Sequence, residues 1–224
     1  MTYLIQSAQT KIHPDLLPVV QRAREQDYKK PIKKQVLEEF DRLTEIVGRD
    51  TPHLMLDSFC GTGHSTLALA HRHPKAFIIG FDQSQDRLNK APVALKNQEN
   101  AILLRAEAVD LWRLFLRDDW RFEKHTLFYP NPWPKVGHLR RRVHGHPVFP
   151  QMLQLSEQLE LRASWEIYAQ EFAAAVNFLG FDVNGPEPIS PKEPVSLFEK
   201  KYLETQTPLY RVTLNTRTDL TALG

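Results

Sequence analysis

The sequence predicts an α/β fold built on a mostly parallel sheet, and three observations carry that prediction. Short apolar runs alternate with segments of helical periodicity from about residue 53 to 130, which implies βαβ units. The first run, Leu54-Met55-Leu56-Asp57, ends in Ser58-Phe59-Cys60-Gly61-Thr62-Gly63, a small-residue turn of the kind that joins a strand to a helix. The last run, Tyr210 to Leu214, is expected to hairpin with a run at 181–184, putting an antiparallel strand at or near the sheet edge.

The elements follow in order. Residues 1–30 are polar, and Pro14 and Pro18 interrupt any long helix, so they read as an arm able to order on a partner, ahead of a domain over 31–224. Pro31 opens a helix in which Ile32, Val36, Leu37, Phe40, Leu43 and Val47 recur at helical spacing, with Gly48 at the C-terminal cap. Then come strand 53–57, helix 64–72, strand 76–81, helix 84–98, strand 101–105, helix 108–117 and strand 125–129. A short helix from about Phe149, a strand near 159–163 and a helix over 165–179 stopped by Gly180 lead to the terminal hairpin. Residues 185–208 carry five prolines and read as a long loop of the kind that is functional or mobile.

With 224 residues, 42% hydrophobic and 25% charged, the chain can bury one sizeable core. A formal net charge of +2 is too mild to imply nucleic-acid binding, so that argument rests on where the charge lies. Lys135, His138, Arg140, Arg141, Arg142, His144 and His146 cluster directly after the stiff turn Phe128-Tyr129-Pro130-Asn131-Pro132-Trp133-Pro134. Three prolines hold Asn131 and Trp133 by chain stiffness, which suits a flat base. The single cysteine, Cys60, excludes an internal disulfide; with no signal-peptide or membrane-span pattern, the expectation is a cytoplasmic protein without membrane contact. The three histidines lack a cysteine or carboxylate at ligand spacing, so no metal is expected.

Three signals fall at strand carboxyl ends, where open α/β sheets bind ligands. The Gly61-Thr62-Gly63 turn allows close backbone approach and leads into a helix N-terminus. Asp82 follows about 20 residues later, where an acid accepts ribose hydroxyls. The dinucleotide fingerprint wants a third glycine where Thr66 stands, which counts against NAD. Asp57 at the first strand end could instead meet an ammonium, which S-adenosylmethionine carries and NAD lacks.

The acid-x-x-x-Gly-x-Gly form of Asp57 to Gly63 resembles the first motif of class I S-adenosylmethionine methyltransferases. The run from Phe128 to Lys135, with His138, Arg140-Arg141-Arg142 and Phe149, resembles the Pro-Asp-Pro-Trp-x-Lys…His…Lys-Arg-Arg stretch of the tRNA (guanine-N7) methyltransferase family. Ala163-Ser164-Trp165-Glu166-Ile167-Tyr168-Ala169 and Ser196-Leu197-Phe198-Glu199 are similar to that family's Thr-Asp-Trp-x-x-Tyr-Ala and Thr-Lys-Phe-Glu. The resemblance implies a Rossmann-like class I methyltransferase fold with a seven-stranded sheet, methylating guanine N7 in tRNA as monomer or homodimer. It implies Asp57, Gly61, Gly63, Asp82, Glu107 and Ala108 for cofactor, and Asn131, Trp133 and Lys135 for catalysis. Lys135, His138, Arg140, Arg141, Arg142, Ser164, Tyr168, Ser196 and Glu199 would face the RNA.

Asn131 stands where the family has a carboxylate, Ala163-Ser164 where it has Thr-Asp, and Ser196-Leu197 where it has Thr-Lys. Guanine N1–H and N2 are both donors, which a carboxylate accepts as a pair and an amide does not. Asn-Pro followed by an aromatic also partly resembles the Asn-Pro-Pro-aromatic motif of methyltransferases acting on exocyclic amines. A non-catalytic tRNA-binding protein is the third reading.

Overall fold

The computed structural model describes residues 5–216. Two helices, α1 (Leu16–Glu25) and α2 (Lys34–Ile46), precede β1 (Leu54–Ser58), α3 (His64–Arg72) and β2 (Phe77–Asp82). Next come α4 (Gln85–Leu88), α5 (Val93–Lys96), β3 (Ala101–Arg105), α6 (Ala108–Arg117) and β4 (Phe122–Phe128). Two 3-10 turns (Val136–Arg141 and Val143–Gly145) lead to α7 (Phe149–Met152), a third 3-10 turn (Leu153–Leu155), β5 (Ser156–Ala163), α8 (Glu166–Phe178), β6 (Val183–Ile189), α9 (Leu197–Glu204) and β7 (Leu209–Asn215). The seven strands lie in the order β3-β2-β1-β4-β5-β7-β6. The first five are parallel and β7 is antiparallel to both neighbours. The α/β expectation with a seven-stranded, mostly parallel sheet holds.

All five residues of β1 are buried, as in a strand covered on both faces, whose apolar run is continuous rather than alternating. Strand order reverses between β1 and β4, so the crevice of this sheet opens beyond their carboxyl ends. Behind it, Phe40, Phe115, Trp120 and Phe122 pack as an aromatic cluster with centroids 4.9 to 6.4 Å apart.

Four local expectations change. The predicted arm holds α1, whose Leu16 and Val20 are fully buried in the main core; Pro18 falls in the first turn, where a missing N–H breaks no helical bond. Residues 1–4 of that arm, and 217–224 of the expected domain, lie outside the described residues. The helix expected over 84–98 splits into α4 and α5 because Pro92 cannot continue it. The helix expected from Pro31 begins at Lys34. The loop expected at 185–208 contributes edge strand through Ile189 and then α9; the prolines of β6 sit at the sheet edge, where an absent N–H is tolerated. There β6 bulges between Asn184 and Glu187, and a Cβ on Gly185 (φ 98°) would stand 2.4 Å from the Arg211 carbonyl oxygen.

A buried ion pair joins three remote segments. Arg142 and Glu171 of α8, both without solvent exposure, bond through Arg142 Nη1. Arg142 also donates to Gln9 Oε1 at 2.9 Å and to the carbonyls of Trp133 and Lys135 at 3.2 and 3.4 Å. Glu171 accepts in addition from Gln9 Nε2 at 2.6 Å and from the His13 amide at 2.9 Å, and meets His144 Nε2 at 3.0 Å. Burial alone would raise the Glu171 carboxyl, but His144, Arg142 and the His13 amide outweigh it and hold it at about 2. Removing one partner leaves the other charge uncompensated. Glu171→Gln is therefore expected to lower stability by about 3 to 5 kcal/mol in denaturant unfolding. The double variant Arg142→Met/Glu171→Leu should lose less than the sum of the singles; an unfolding midpoint unchanged in Glu171→Gln would show that the pair adds nothing.

Candidate active site

A cavity of about 640 Å³ opens at the carboxyl ends of β1, β2 and β4. Its floor is Cys60, Gly61 and Thr62, tied to β2 by Cys60 N–H donating to Phe81 O at 3.0 Å; Gly63, expected to contact the cofactor, lies behind this lining and closes the turn by donating its N–H to Cys60 O at 2.9 Å. Gly61 and Gly63 have φ of 59° and 75°. A Cβ at Gly63 would stand 2.8 Å from Leu103 Cδ1, whereas at Gly61 nothing lies within 4 Å and the backbone is bare to the cavity. Thr66, at the missing third glycine, is accommodated from the opposite side. A Cβ on Gly80 of β2 would come within 2.2 Å of Thr66 Oγ1, so the strand gives up its side chain there.

The two strand-end acids divide. Asp82 lines the cavity; its Oδ2 accepts the Gly61 amide at 3.2 Å, its Oδ1 the Ser84 amide at 2.8 Å, and Arg87 Nη1 lies 3.1 Å from Oδ2. Asp57 is fully buried and outside the cavity wall, which corrects its expected contact with a cofactor ammonium. Its Oδ2 accepts Ser65 Oγ at 2.6 Å and Thr66 Oγ1 at 2.7 Å, and its Oδ1 accepts Thr126 Oγ1 at 3.0 Å, bracing β1 against α3 and β4. Glu107, just before α6, and Ala108 reach the cavity, with the Glu107 carboxylate bonded to Lys33 Nζ.

The opposite wall is the turn after β4. Tyr129 and Trp133 adopt φ of 56° and 46°, a region that non-glycine residues enter only when surroundings enforce it. Tyr129 is held by its hydroxyl donating to Glu199 at 2.5 Å and its amide donating to Arg162 O at 2.8 Å. Trp133 is held by its carbonyl on Arg142, by the Arg141 guanidinium 4.9 Å above its ring and by His138 edge-on at 5.5 Å. Asn131 is exposed at the cavity, with Oδ1 accepting the Trp133 amide at 3.4 Å.

Lys135, Arg140 and Arg141 are exposed beside this turn and His138 is half-buried. Arg142, expected among the phosphate contacts, is instead consumed by the buried pair with Glu171. Tyr168, though buried with its hydroxyl accepting the Val143 amide at 3.3 Å, lines a smaller hollow beside the cavity. One further expectation is corrected. Glu199 is fully buried and accepts from Tyr129, from Arg162 Nη1 at 2.8 Å and from the Val195 amide at 2.6 Å, so it anchors α9 rather than facing a ligand. Ser196 caps α9 by accepting the Glu199 amide at 3.1 Å, and lies on the cavity.

A second hollow of about 240 Å³ adjoins the cavity behind Asn131 and Pro132, with Ser164, Phe198 and Tyr202 along it. The site reading missed Arg87, Phe198 and Tyr202. Phe198 is 55% exposed, a large apolar ring left at a cavity mouth. The signal for Arg87 was its place five residues after Asp82. Among the described residues no group of three His, Cys, Asp or Glu side chains could hold a metal ion, and no helix is long and apolar enough to cross a membrane.

Burial raises the Asp57 carboxyl from 3.8 to about 6, against the lowering effect of its hydroxyl donors. The folded chain then binds this proton more tightly than the unfolded chain, so the stability contributed by Asp57 falls as pH rises from 3.8 to about 6. The difference in unfolding free energy between wild type and Asp57→Asn should fall by up to about 3 kcal/mol across that window and level off above it. A flat difference curve would show an ordinary carboxylate.

The family described as "Putative methyltransferase" matches residues 52–212. A tRNA (guanine-N(7)-)-methyltransferase of Leifsonia xyli subsp. xyli is 30% identical over 173 residues, covering 71% of this chain and 74% of that protein. The protein of the same description from Stutzerimonas stutzeri is 29% identical over 147 residues, 63% of this chain and 59% of its own length. A solved structure described as an antibiotic-related methyltransferase superposes with a TM-score of 0.56 at 16% identity, over 83% of this chain and 95% of that one, which shows the shared fold. With the match spanning the sheet, the glycine turn and the turn after β4, the chain belongs to this methyltransferase family and is related, at modest identity, to tRNA (guanine-N(7)-)-methyltransferases.

Proposed function

We propose that the chain is an S-adenosylmethionine-dependent methyltransferase that modifies guanine N7 in tRNA. The observation that carries this reading is one continuous cavity running from Gly61 and Asp82 to Asn131 and Trp133, with the exposed cation Arg141 on its wall; Lys135 and Arg140 are exposed outside that wall, Arg140 beside a separate hollow against α1. The residues present suit the cofactor. Gly61 offers bare backbone, Asp82 an acceptor for ribose hydroxyls, Glu107 and Ala108 a ledge at the adenine end. When bound, S-adenosylmethionine supplies an electrophilic methyl group on its sulfonium.

Guanine N7 carries a lone pair and no proton, so this chain needs to align the base rather than deprotonate it. The prolines and the enforced φ angles at Tyr129 and Trp133 supply a rigid wall for that alignment. The exposed cations hold phosphates, and the half-exposed Leu197 and Phe198 give the cavity mouth an apolar rim. A second reading rests on Asn131: its carboxamide oxygen could accept from an exocyclic base amine instead. A third, a protein that binds tRNA without transferring methyl, retains the same cation surface.

The deciding experiment incubates the protein with methyl-labelled S-adenosylmethionine and tRNA lacking its modifications, and identifies the labelled nucleoside by mass. The expected product is 7-methylguanosine; tRNA bound without any methyl transfer would leave the non-catalytic reading. Neutralising Lys135, Arg140 and Arg141 together is expected to weaken RNA binding and flatten its salt dependence by somewhat less than one log unit per lost contact. An unchanged slope would locate the RNA on another face. Asn131→Asp, which restores an acceptor pair for guanine N1–H and N2, should increase 7-methylguanosine formation. If wild type methylates a base amine and Asn131→Asp forms no 7-methylguanosine, the exocyclic-amine reading takes its place.

A further inference from the structure

The carboxylate that faces the cavity is already saturated. Gly61 and Ser84 donate backbone amides to Asp82, and Arg87 Nη1 lies 3.1 Å from Oδ2 and 3.5 Å from Oδ1. Three donors making four contacts fill about the full acceptor capacity of a carboxylate. A ribose diol bound there must displace one of them. The two amides belong to the backbone that builds the site, whereas the Arg87 side chain is 54% exposed and sits on a helix of four residues. Arg87 is the donor able to leave.

Its destination is visible as well. Arg87 lines both the main cavity and the adjoining 240 Å³ hollow. The walls of that hollow are Asn131, Ser164, Phe198 and other uncharged residues; among the residues lining it there is no carboxylate. A guanidinium turned into it meets amide, hydroxyl and aromatic faces, and no protein anion. A carboxylate at position 131 or 164 would capture it; the amide and hydroxyl leave its charge to a ligand. Phe198, stacked on Tyr202 with centroids 6.3 Å apart, provides a flat face at the same place.

We propose that Arg87 is a nucleotide-binding residue released by the cofactor: ribose hydroxyls take Asp82, and Arg87 swings into the Asn131–Ser164 hollow to bind an oxygen acceptor of the RNA nucleotide being methylated. This rests on the reading of the chain as an RNA methyltransferase. It makes cofactor and RNA bind with positive coupling, since the first ligand unpairs the cation the second uses. The acceptor is a phosphate or a base carbonyl.

The test measures binding of S-adenosylhomocysteine and of an unmodified tRNA transcript, each alone and with the other, to wild type, Arg87→Ala and Arg87→Gln. Removing the competitor should tighten S-adenosylhomocysteine binding without RNA in both variants, by about threefold or more. In wild type S-adenosylhomocysteine should tighten transcript binding by about fivefold or more, and in both variants that gain should vanish. A merely structural Arg87, holding Asp82 in place, would make cofactor binding weaker on substitution; weaker or unchanged affinity overturns the proposal. So does a coupling that survives in both variants. With S-adenosylhomocysteine present, a salt slope lower by somewhat less than one log unit in Arg87→Ala assigns the acceptor to a phosphate, and an unchanged slope assigns it to a base oxygen. If wild type binds S-adenosylhomocysteine but no RNA, the RNA reading and the release step fall together, while tighter binding by Arg87→Ala would still establish the displacement.

Discussion

The turn that faces the base-sized end of the cavity exists because of one buried ion pair. Arg142 lies nine residues beyond Trp133 and spends its donors on the Trp133 and Lys135 carbonyls, on Gln9 and on Glu171. Isolated, a guanidinium without solvent would be strongly unfavourable; with Glu171 and three further oxygen acceptors it becomes a rigid junction. The junction spans the N-terminal segment, the turn and α8. The Ser7 hydroxyl bonded to the Pro134 carbonyl at 2.5 Å extends the same clamp. Trp133 can therefore persist at positive φ, a strained state that only over-determined surroundings maintain, while Tyr129 is held there separately by Glu199 and the Arg162 carbonyl.

The acids of the site show how burial divides similar side chains among different roles. Asp57 and Glu199 have no exposure, and each carries three donors from within the chain. They work as internal braces, Asp57 between β1, α3 and β4, and Glu199 between the turn and the start of α9. Asp82 is nearly as buried yet borders the cavity, and one of its donors is a half-exposed side chain rather than part of a packed wall. A carboxylate whose donors can be exchanged can serve a ligand; one whose donors are fixed serves the fold.

Cavity chemistry and frame chemistry also separate along the basic run. Neighbouring members of one sequence cluster meet opposite fates: Arg140 and Arg141 reach solvent, while Arg142 and His144 turn inward to Glu171. The split falls at the junction of the two 3-10 turns: Arg140 and Arg141 end the first, and Arg142 is extended (φ −72°, ψ 152°) between it and the second, which carries His144. Gly145 permits the tight return, since a Cβ there would stand 2.1 Å from the Leu139 carbonyl oxygen.

From its sequence alone the chain determined the architecture and the address of the site. Strands buried on both faces appear as unbroken apolar runs, so the order of β and α elements was legible, and the β1 to α3 turn announced itself through Gly61 and Gly63, where backbone must pass through positive φ. Asp82 was legible because a strand-end acid at that spacing lies next to the turn, and Asn131 because prolines pin it. Tertiary structure alone decided which charges remain available. Arg142 meets Glu171 from 29 residues away, Tyr129 meets Glu199 from 70, and Asp57 is filled by hydroxyls from two elements, one of them Thr126 of β4. The same distance hid α1, whose polar sequence acquires a buried face only once α7 and α8 are present to cover Leu16 and Val20. Burial and pairing depend on which segments the sheet brings together, and a charged residue looks the same in sequence whether its partner will be solvent, RNA or the opposite wall of its own core.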